Sequence, residues 1–432
     1  MTILYDLAFI IFAIGYLPYL LLKRKLHKGL FQRLGFLPES LRLEQPVWIH
    51  AVSVGEARVA GILVEQLRRD FPGKRFAFST ITVTGSKIVR SFLQKGDFLF
   101  YLPFDLSLIV RKVISRLKPC ACIIVETEIW PNLIYQLKKM NVPVILVNAR
   151  ISDRSFSGYR TIRPLIKPIL NKVNLFCVQG QSDARRLSSL GVDTDRLRVT
   201  GNMKFDFLQC SQGIKGDYTN YKLRLGLETK EKLFIAGSTH PGEEEVILNT
   251  YKKLLDEFPG LRLLLAPRHP ERAGQAAGEA VKFGFQAVLI STLTNSAQQA
   301  TQAQGDRSRQ PPVFILDTIG ELMSFYAIAD IVFVGGSLVK KGGHNILEPA
   351  LCAKPILFGP HMFNFREMSE LFLAQKAARM VRGQEELFIE MKNLLTDSSQ
   401  LMNIGKQARE LVLKNQGATS QNAELIKGLV AV

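Results

Sequence analysis

The chain lacks the short strings that usually fix a nucleotide or a catalytic metal. No GxxxxGK[ST] loop occurs in its 432 residues, so a bound nucleotide must be held without a P-loop. Six histidines without an HExxH string argue against metal catalysis. Cys120, Cys122, Cys177, Cys210 and Cys352 show no zinc-type spacing. An odd cysteine count in a cytoplasmic chain predicts free, mostly buried thiols with no redox role. Acidic residues are also scarce, 38 against 56 basic, which leaves a net charge of +18. Such an excess predicts an anionic partner, either nucleic acid or an anionic membrane surface. A nucleic-acid surface would interleave aromatics on a basic face, and no such pattern is found. With 47% apolar and 22% charged residues the chain is neither disordered nor collagenous. Its length exceeds one ordinary core and predicts two domains plus an appendage.

Residues 3–22 (ILYDLAFIIFAIGYLPYLLL) favour the membrane alternative. The run has roughly the 20 residues that cross a bilayer as a helix. KRKLHKG follows at once, and a basic flank there keeps the downstream chain cytoplasmic. A cleavable signal peptide would carry its charges before the apolar run and small residues at its end. Asp6 and Pro18 argue for a shallow or re-entrant anchor as the alternative to a spanning one, with a buried core helix as the plainest reading.

Past residue 30, short apolar runs alternate with helical patterns. The first set is 46–52, 75–82, 98–103, 121–126, 143–150, 175–179 and 197–201. A second set follows at 232–239, 261–269, 287–292, 312–318, 331–337 and 355–360. Runs apolar on both faces and bounded by Gly, Pro or polar residues are parallel strands covered by helices. The expected fold is therefore α/β, two doubly wound domains with a ligand cleft between them. The boundaries are 1–30 for the anchor, 31–210 for the first domain, 211–228 for a linker and 229–432 for the second domain with C-terminal helices. Residues 293–311 (LTNSAQQATQAQGDRSRQP) are poor in hydrophobics and read as an exposed insertion.

The chemistry concentrates where strands end. In 331–360 a buried strand runs into Gly335, Gly336, Gly342 and Gly343, then a helix opening at Asn345. Glycines there let an anionic ligand approach the backbone, beside His344, Asn345 and Glu348. Ser53–Glu56, Thr318–Glu321 and Asn345–Glu348 each read plainly as a capping box. All three also stand at carboxyl ends of strands, where open α/β sheets bind ligands and a carboxylate can act as base or sugar ligand. Glu126 and Glu128 end another strand, and i, i+2 side chains of an extended chain point the same way. Such a pair also suits glycoside hydrolysis, which keeps a hydrolase among the rivals. Lys204, Arg268 and His269, with Arg150, are the cations placed for an anion, and GSTHPGEEE (237–245) offers another helix N-terminus. Asp193 and Asp195 form a DxD string, but before a strand and so at the wrong end of a sheet for a metal.

In order along residues 47–366, HAVSVGE, YLPFD, ETEIWPNLI, NARISDRSFSGY, TGNMKFD, AGSTHPGEEE, LAPRHPER, DTIGELM, FVGGSLVKKGGHNILEPA and GPHMFNF resemble one family, the 3-deoxy-D-manno-octulosonic acid (Kdo) transferases. The hydrophobic N-terminus is similar to that family's membrane anchor, and the 293–311 insertion is the one departure. The resemblance implies a GT-B fold with the acceptor site in the first domain and the CMP-Kdo site in the second. It implies inverting transfer of Kdo from CMP-Kdo to a lipid A precursor (lipid IVA), without metal or other cofactor, at the cytoplasmic side of a bacterial inner membrane. By similarity Glu56 is the general base, and Glu126 and Lys204 support the transition state. Arg268, His269, Ile319, Gly320, Glu321, Asn345, Ile346, Leu347 and Glu348 match segments that bind CMP. The runner-up is another GT-B nucleotide-sugar transferase or a sugar-nucleotide epimerase.

Overall fold

A computed structural model of the chain describes residues 2–22, 29–38, 44–207, 218–293 and 310–430. Most of the basic flank (23–28), the first part of the expected linker (211–217), Cys210 and nearly all of the polar insertion (294–309) lie outside the described residues. The chain divides into two compact units, Met1–Cys210 with Asn415–Val432, and Ser211–Lys414.

The first unit is built on a seven-stranded parallel sheet of β1 (Val47–His50), β2 (Phe76–Thr80), β3 (Phe98–Tyr101), β4 (Ala121–Val125), β5 (Val144–Ala149), β6 (Leu175–Val178) and β7 (Leu197–Val199). Their spatial order is β3-β2-β1-β4-β5-β6-β7. The chain thus leaves β1 in one direction and returns on its other side through β4, which opens a crevice at the carboxyl ends of those two strands. Every residue of β1, β2, β4, β5 and β6 is buried. That is the consequence of helices covering both faces, and it explains why the strands read as continuous apolar runs.

The second unit repeats the plan with β8 (Lys232–Thr239), β9 (Leu261–Pro267), β10 (Ala287–Leu289), β11 (Val313–Ile315), β12 (Ile331–Val334), β13 (Ile356–Phe358) and β14 (Arg379–Met380). The order is β10-β11-β9-β8-β12-β13-β14, all pairs parallel, and the switch point lies between β8 and β12. All thirteen expected strands form. The sequence reading missed β14, whose two half-exposed residues carry no apolar run.

Two expectations about the domain layout need correction. The linker region contains a helix, Thr219–Leu225, ended by Gly226 in the left-handed conformation. The second unit stops at Lys414 rather than at 432, because Asn415–Val432 packs on the first unit. There Asp206, fully buried, accepts hydrogen bonds from the Gly417 N–H (2.8 Å) and the Thr419 N–H (2.7 Å), capping helix Ala418–Lys427. Ala423, Ile426 and Val430 then join the core under β1 and β4.

The apolar N-terminus is helical over Thr2–Leu22, but among the described residues no helix is long and apolar enough to cross a membrane. This helix belongs to the first unit. Its Asp6 carboxylate accepts from the Ser107 N–H (3.1 Å), the Ser107 hydroxyl and the Asn132 side-chain amide (2.7 Å). An acidic residue inside an apolar run is accounted for by those donors.

Candidate active site

In the first unit, Glu56 lies one turn into helix Val54–Asp70, immediately beyond β1. Ser53 caps that helix, its hydroxyl oxygen accepting the Glu56 N–H at 3.3 Å. The Glu56 side chain folds back over the same turn. Its Oε2 accepts the Val52 N–H at 2.7 Å and its Oε1 accepts the Ser53 hydroxyl at 2.8 Å. The capping box is therefore real, and it also fixes the carboxylate. Each oxygen keeps a second lone pair for a proton. Glu56 is only 6% exposed, and burial raises its carboxyl above the ordinary value; the Val52 and Ser53 donors oppose this, and the charge of Glu126 adds to it.

Glu126 follows β4 and carries φ +61°, so the chain is not extended there and the i, i+2 expectation for Glu126 and Glu128 fails. The left-handed turn aims Glu126 at two cations. Its Oε1 meets Lys204 Nζ at 2.9 Å and its Oε2 meets Arg150 Nε at 3.4 Å. Thr127 holds the turn, its hydroxyl donating to the Arg150 carbonyl while accepting the Arg150 N–H at 2.9 Å. Lys204 comes from the short helical turn Met203–Asp206, where Asn202 accepts its N–H at 3.0 Å. That turn is tied to β5 by Met203 N–H donating to the Asn148 side chain (2.9 Å). It is tied to the C-terminal helix through Asp206. Lys204 is thus clamped from both sides.

Glu128 completes an acidic group. Burial first, then the charges of Glu56 and Glu126, push its carboxyl up to about 7. The ETEIWPN loop that carries it is pinned by Asp105, which accepts from Asn132 N–H (3.1 Å) and Leu133 N–H (2.8 Å) at the start of helix Pro131–Lys139. Burial raises Asp105 itself to about 6. His50 ends β1 fully buried, with Nδ1 2.9 Å from the Ser79 hydroxyl oxygen, and burial lowers it to about 4, so the ring is neutral. The first unit therefore presents one buried basic carboxylate, a second carboxylate neutralised by Lys204 and Arg150, and a third that titrates near neutrality.

In the second unit the expected nucleotide residues all stand at carboxyl ends of strands, after β8, β9, β11 and β12. Arg268 and His269 follow β9 and are exposed. Ile319 is 87% exposed, and Gly320 beside it holds φ +91° with open space where a side chain would begin. Glu321 joins Arg224 (2.7 Å) and accepts the Thr318 hydroxyl, so Thr318 does not cap helix Leu322–Ile328. Asn345 accepts the Leu347 N–H (3.1 Å) and donates to Glu348 (3.0 Å). The helix expected to open at Asn345 is the single turn Leu347–Leu351 with Ile346 at its cap.

The glycine-rich turn is partly occupied from within the protein. A protein carboxylate fills the N–H groups of its first part, at 336–338. Fully buried Glu243 accepts from Gly336 (2.7 Å), Ser337 (3.0 Å), Leu338 (2.9 Å) and His240 (3.0 Å). Gly335 lies so close to the β8 backbone at Ser238 and Thr239 that a Cβ has no room. Gly335 and Gly336 serve this close packing and the internal anion nest, whereas Gly342 and Gly343 lie against Asn364 and Met362. Around His240, on which His344 stacks, stand the cationic side chains Arg268, Arg272 and Lys341, with His269 beside them. The sequence reading did not single out His240, Glu128, Asp206 or Glu243 for these roles. The GSTHPGEEE and ETEIWPN strings were the available signals.

A family model described as 3-Deoxy-D-manno-octulosonic-acid transferase (kdotransferase) matches residues 28–207. A curated 3-deoxy-D-manno-octulosonic acid transferase of Haemophilus influenzae is 36% identical over 386 residues, 89% of this chain and 87% of the relative. That of Chlamydophila psittaci is 32% identical over 385 residues, 87% of this chain and 84% of the relative. Among solved structures, a UDP-N-acetylglucosamine 2-epimerase superposes with a TM-score of 0.55 at 13% identity, over 90% of this chain and 96% of that one. At that identity the likeness concerns the fold alone.

Proposed function

The chain belongs to the Kdo transferase family, and from that premise we propose how its residues carry out Kdo transfer in lipopolysaccharide core assembly. The reaction moves Kdo from CMP-Kdo to a hydroxyl of a lipid A precursor, with inversion at the anomeric carbon, on a scaffold of two Rossmann-like units of the GT-B type. Glu56 is the general base. The observation that carries this is its fixed, buried carboxylate, raised towards the working pH by burial at the carboxyl end of β1. Lys204 and Arg150, held on Glu126, supply positive charge to the carboxylate that Kdo bears beside its anomeric carbon.

Arg268, His269 and the 319–321 and 345–348 segments bind CMP, whose phosphate gains charge as Kdo departs. A cationic rim stabilises that charge more in the transition state than in the bound donor, which is the condition for catalysis. The epimerase alternative shares only the fold. The enzyme works at the cytoplasmic face of the inner membrane, with helix Thr2–Leu22 as its anchor. Exposed Ile3, Leu4, Leu7, Ile11 and Ile14 on that helix, together with the net charge of +18, support adhesion to an anionic lipid surface. The test is Glu56→Ala with CMP-Kdo and tetra-acylated lipid A precursor. CMP binding near normal with transfer abolished is the expected result; surviving transfer puts the base elsewhere.

A further inference from the structure

His240 follows β8 and His344 follows the glycine-rich turn after β12, yet their rings stack nearly parallel, 7° apart. The contact is nitrogen to nitrogen, Nε2 to Nε2 at 2.9 Å. A hydrogen bond of that kind needs one Nε2 protonated and the other bare, so the pair holds a single proton between its rings. Gly336 makes the arrangement possible. A Cβ there would sit 3.0 Å from His344 Nε2 and 3.4 Å from His240 Cδ2.

The surroundings set how readily the pair takes more charge. Burial and then Lys341, His269, Arg272 and Arg268 hold His240 below the usual imidazole value. His269 meets the His240 ring edge-on at 6.2 Å and pairs with Glu271 at 3.5 Å. On the acidic side, Glu243 is engaged by four backbone N–H groups and Glu244 by Arg272 at 3.2 Å. The pair therefore faces a net cationic rim. An anionic phosphate lying on that rim would cancel the repulsion that keeps a further proton away.

We propose that the His240–His344 pair is the proton-accepting part of the phosphate subsite, so that an anionic nucleotide binds together with a proton drawn from solvent. The proposal rests on the donor reading of this unit. Its consequence is linkage: affinity rises as pH falls from the pair's value in the complex to its lower value in the free protein, and is flat outside that window. One proton per site gives at most about a tenfold gain per pH unit.

The test is calorimetric titration of the full chain with the methyl phosphodiester of CMP, whose phosphate stays ionised throughout. CMP itself would confuse the reading, because phosphate monoesters titrate near pH 6. Buffers of different ionisation enthalpy give the protons taken up between pH 5.5 and 8. Net uptake in the wild type is expected, falling to near zero with a flat pH profile in His240→Gln and His344→Gln. Carbon-13 histidine NMR of the wild type, with and without the diester, should show one of these two imidazoles titrating at higher pH in the complex. Binding without uptake, or uptake unchanged in both variants, overturns the proposal alone. No binding of the diester overturns the donor reading with it.

Discussion

Glu56→Gln removes the proposed base while sparing the turn that holds it. The amide oxygen can still accept the Val52 N–H, and the new NH₂ can donate to Ser53 Oγ, so both contacts of the carboxylate at 2.7 and 2.8 Å have replacements. Neutralising a buried carboxyl also relieves the burial that raises it. Stability should therefore change by no more than about 1 kcal/mol. Catalysis should not be spared. A general base contributes roughly 10²–10⁴-fold, or about 3–5 kcal/mol of transition-state free energy. A second readout comes from Glu128, which sits at about 7 through burial first and the charge of Glu56 second. Removing Glu56 should lower Glu128 without restoring it to the ordinary range, since burial is untouched. Single-turnover transfer, followed by mass spectrometry of the lipid, measures the first effect, and carbon-13 carboxyl NMR the second. Transfer within tenfold of wild type would refute the assignment. Glu128→Gln serves as the companion: if it alone abolishes transfer, the base is Glu128.

Lys204→Met leaves Glu126 with Arg150 at 3.4 Å as its cationic partner in the pair, and transfer should fall by roughly 10²-fold or more with CMP binding unchanged. Asp206→Ala strips the Gly417 and buried Thr419 N–H groups of their acceptor and should cost about 1–3 kcal/mol, seen as a lower Tm with the loss of the anchor beneath Lys204. The acid limb of kcat/KM should lie above the ordinary glutamate value, because Glu56 works ionised and its carboxyl is raised; activity therefore falls as pH drops through that raised value. For stability the sign is opposite. Glu128, raised to about 7, favours folding below its unfolded value, and that contribution is lost as pH rises through about 7. Urea midpoints of wild type and Glu128→Gln from pH 4 to 8 separate the two trends.

The two sheets were legible because their strands are buried on both faces and appear as apolar runs between polar breaks. The crevice residues were legible for the same reason, as whatever follows such a strand stands at its carboxyl end. Partnerships across long separations were not. Nothing in GATSQNAELIKGLV says that its first turn is capped by Asp206, some two hundred residues earlier, and its amphipathic pattern would suit either unit. The first part of the glycine-rich turn was ambiguous for a related reason. Glycines announce that a backbone comes close to something, and at Gly335 and Gly336 that something is β8 and the Glu243 carboxylate. Glu126 was placed at the end of its strand, but its positive φ and its pairing with Arg150 and with Lys204, 78 residues on, are not written in the local string.

The central claim is that this chain transfers Kdo from a CMP-activated donor to a lipid A precursor, and the direct measurement is to give it both. With intact CMP-Kdo and tetra-acylated lipid A precursor in mixed micelles, the lipid should gain mass in steps of one Kdo, with CMP released in equal number. Lipid of unchanged mass while the donor remains intact and the protein folded would contradict the account.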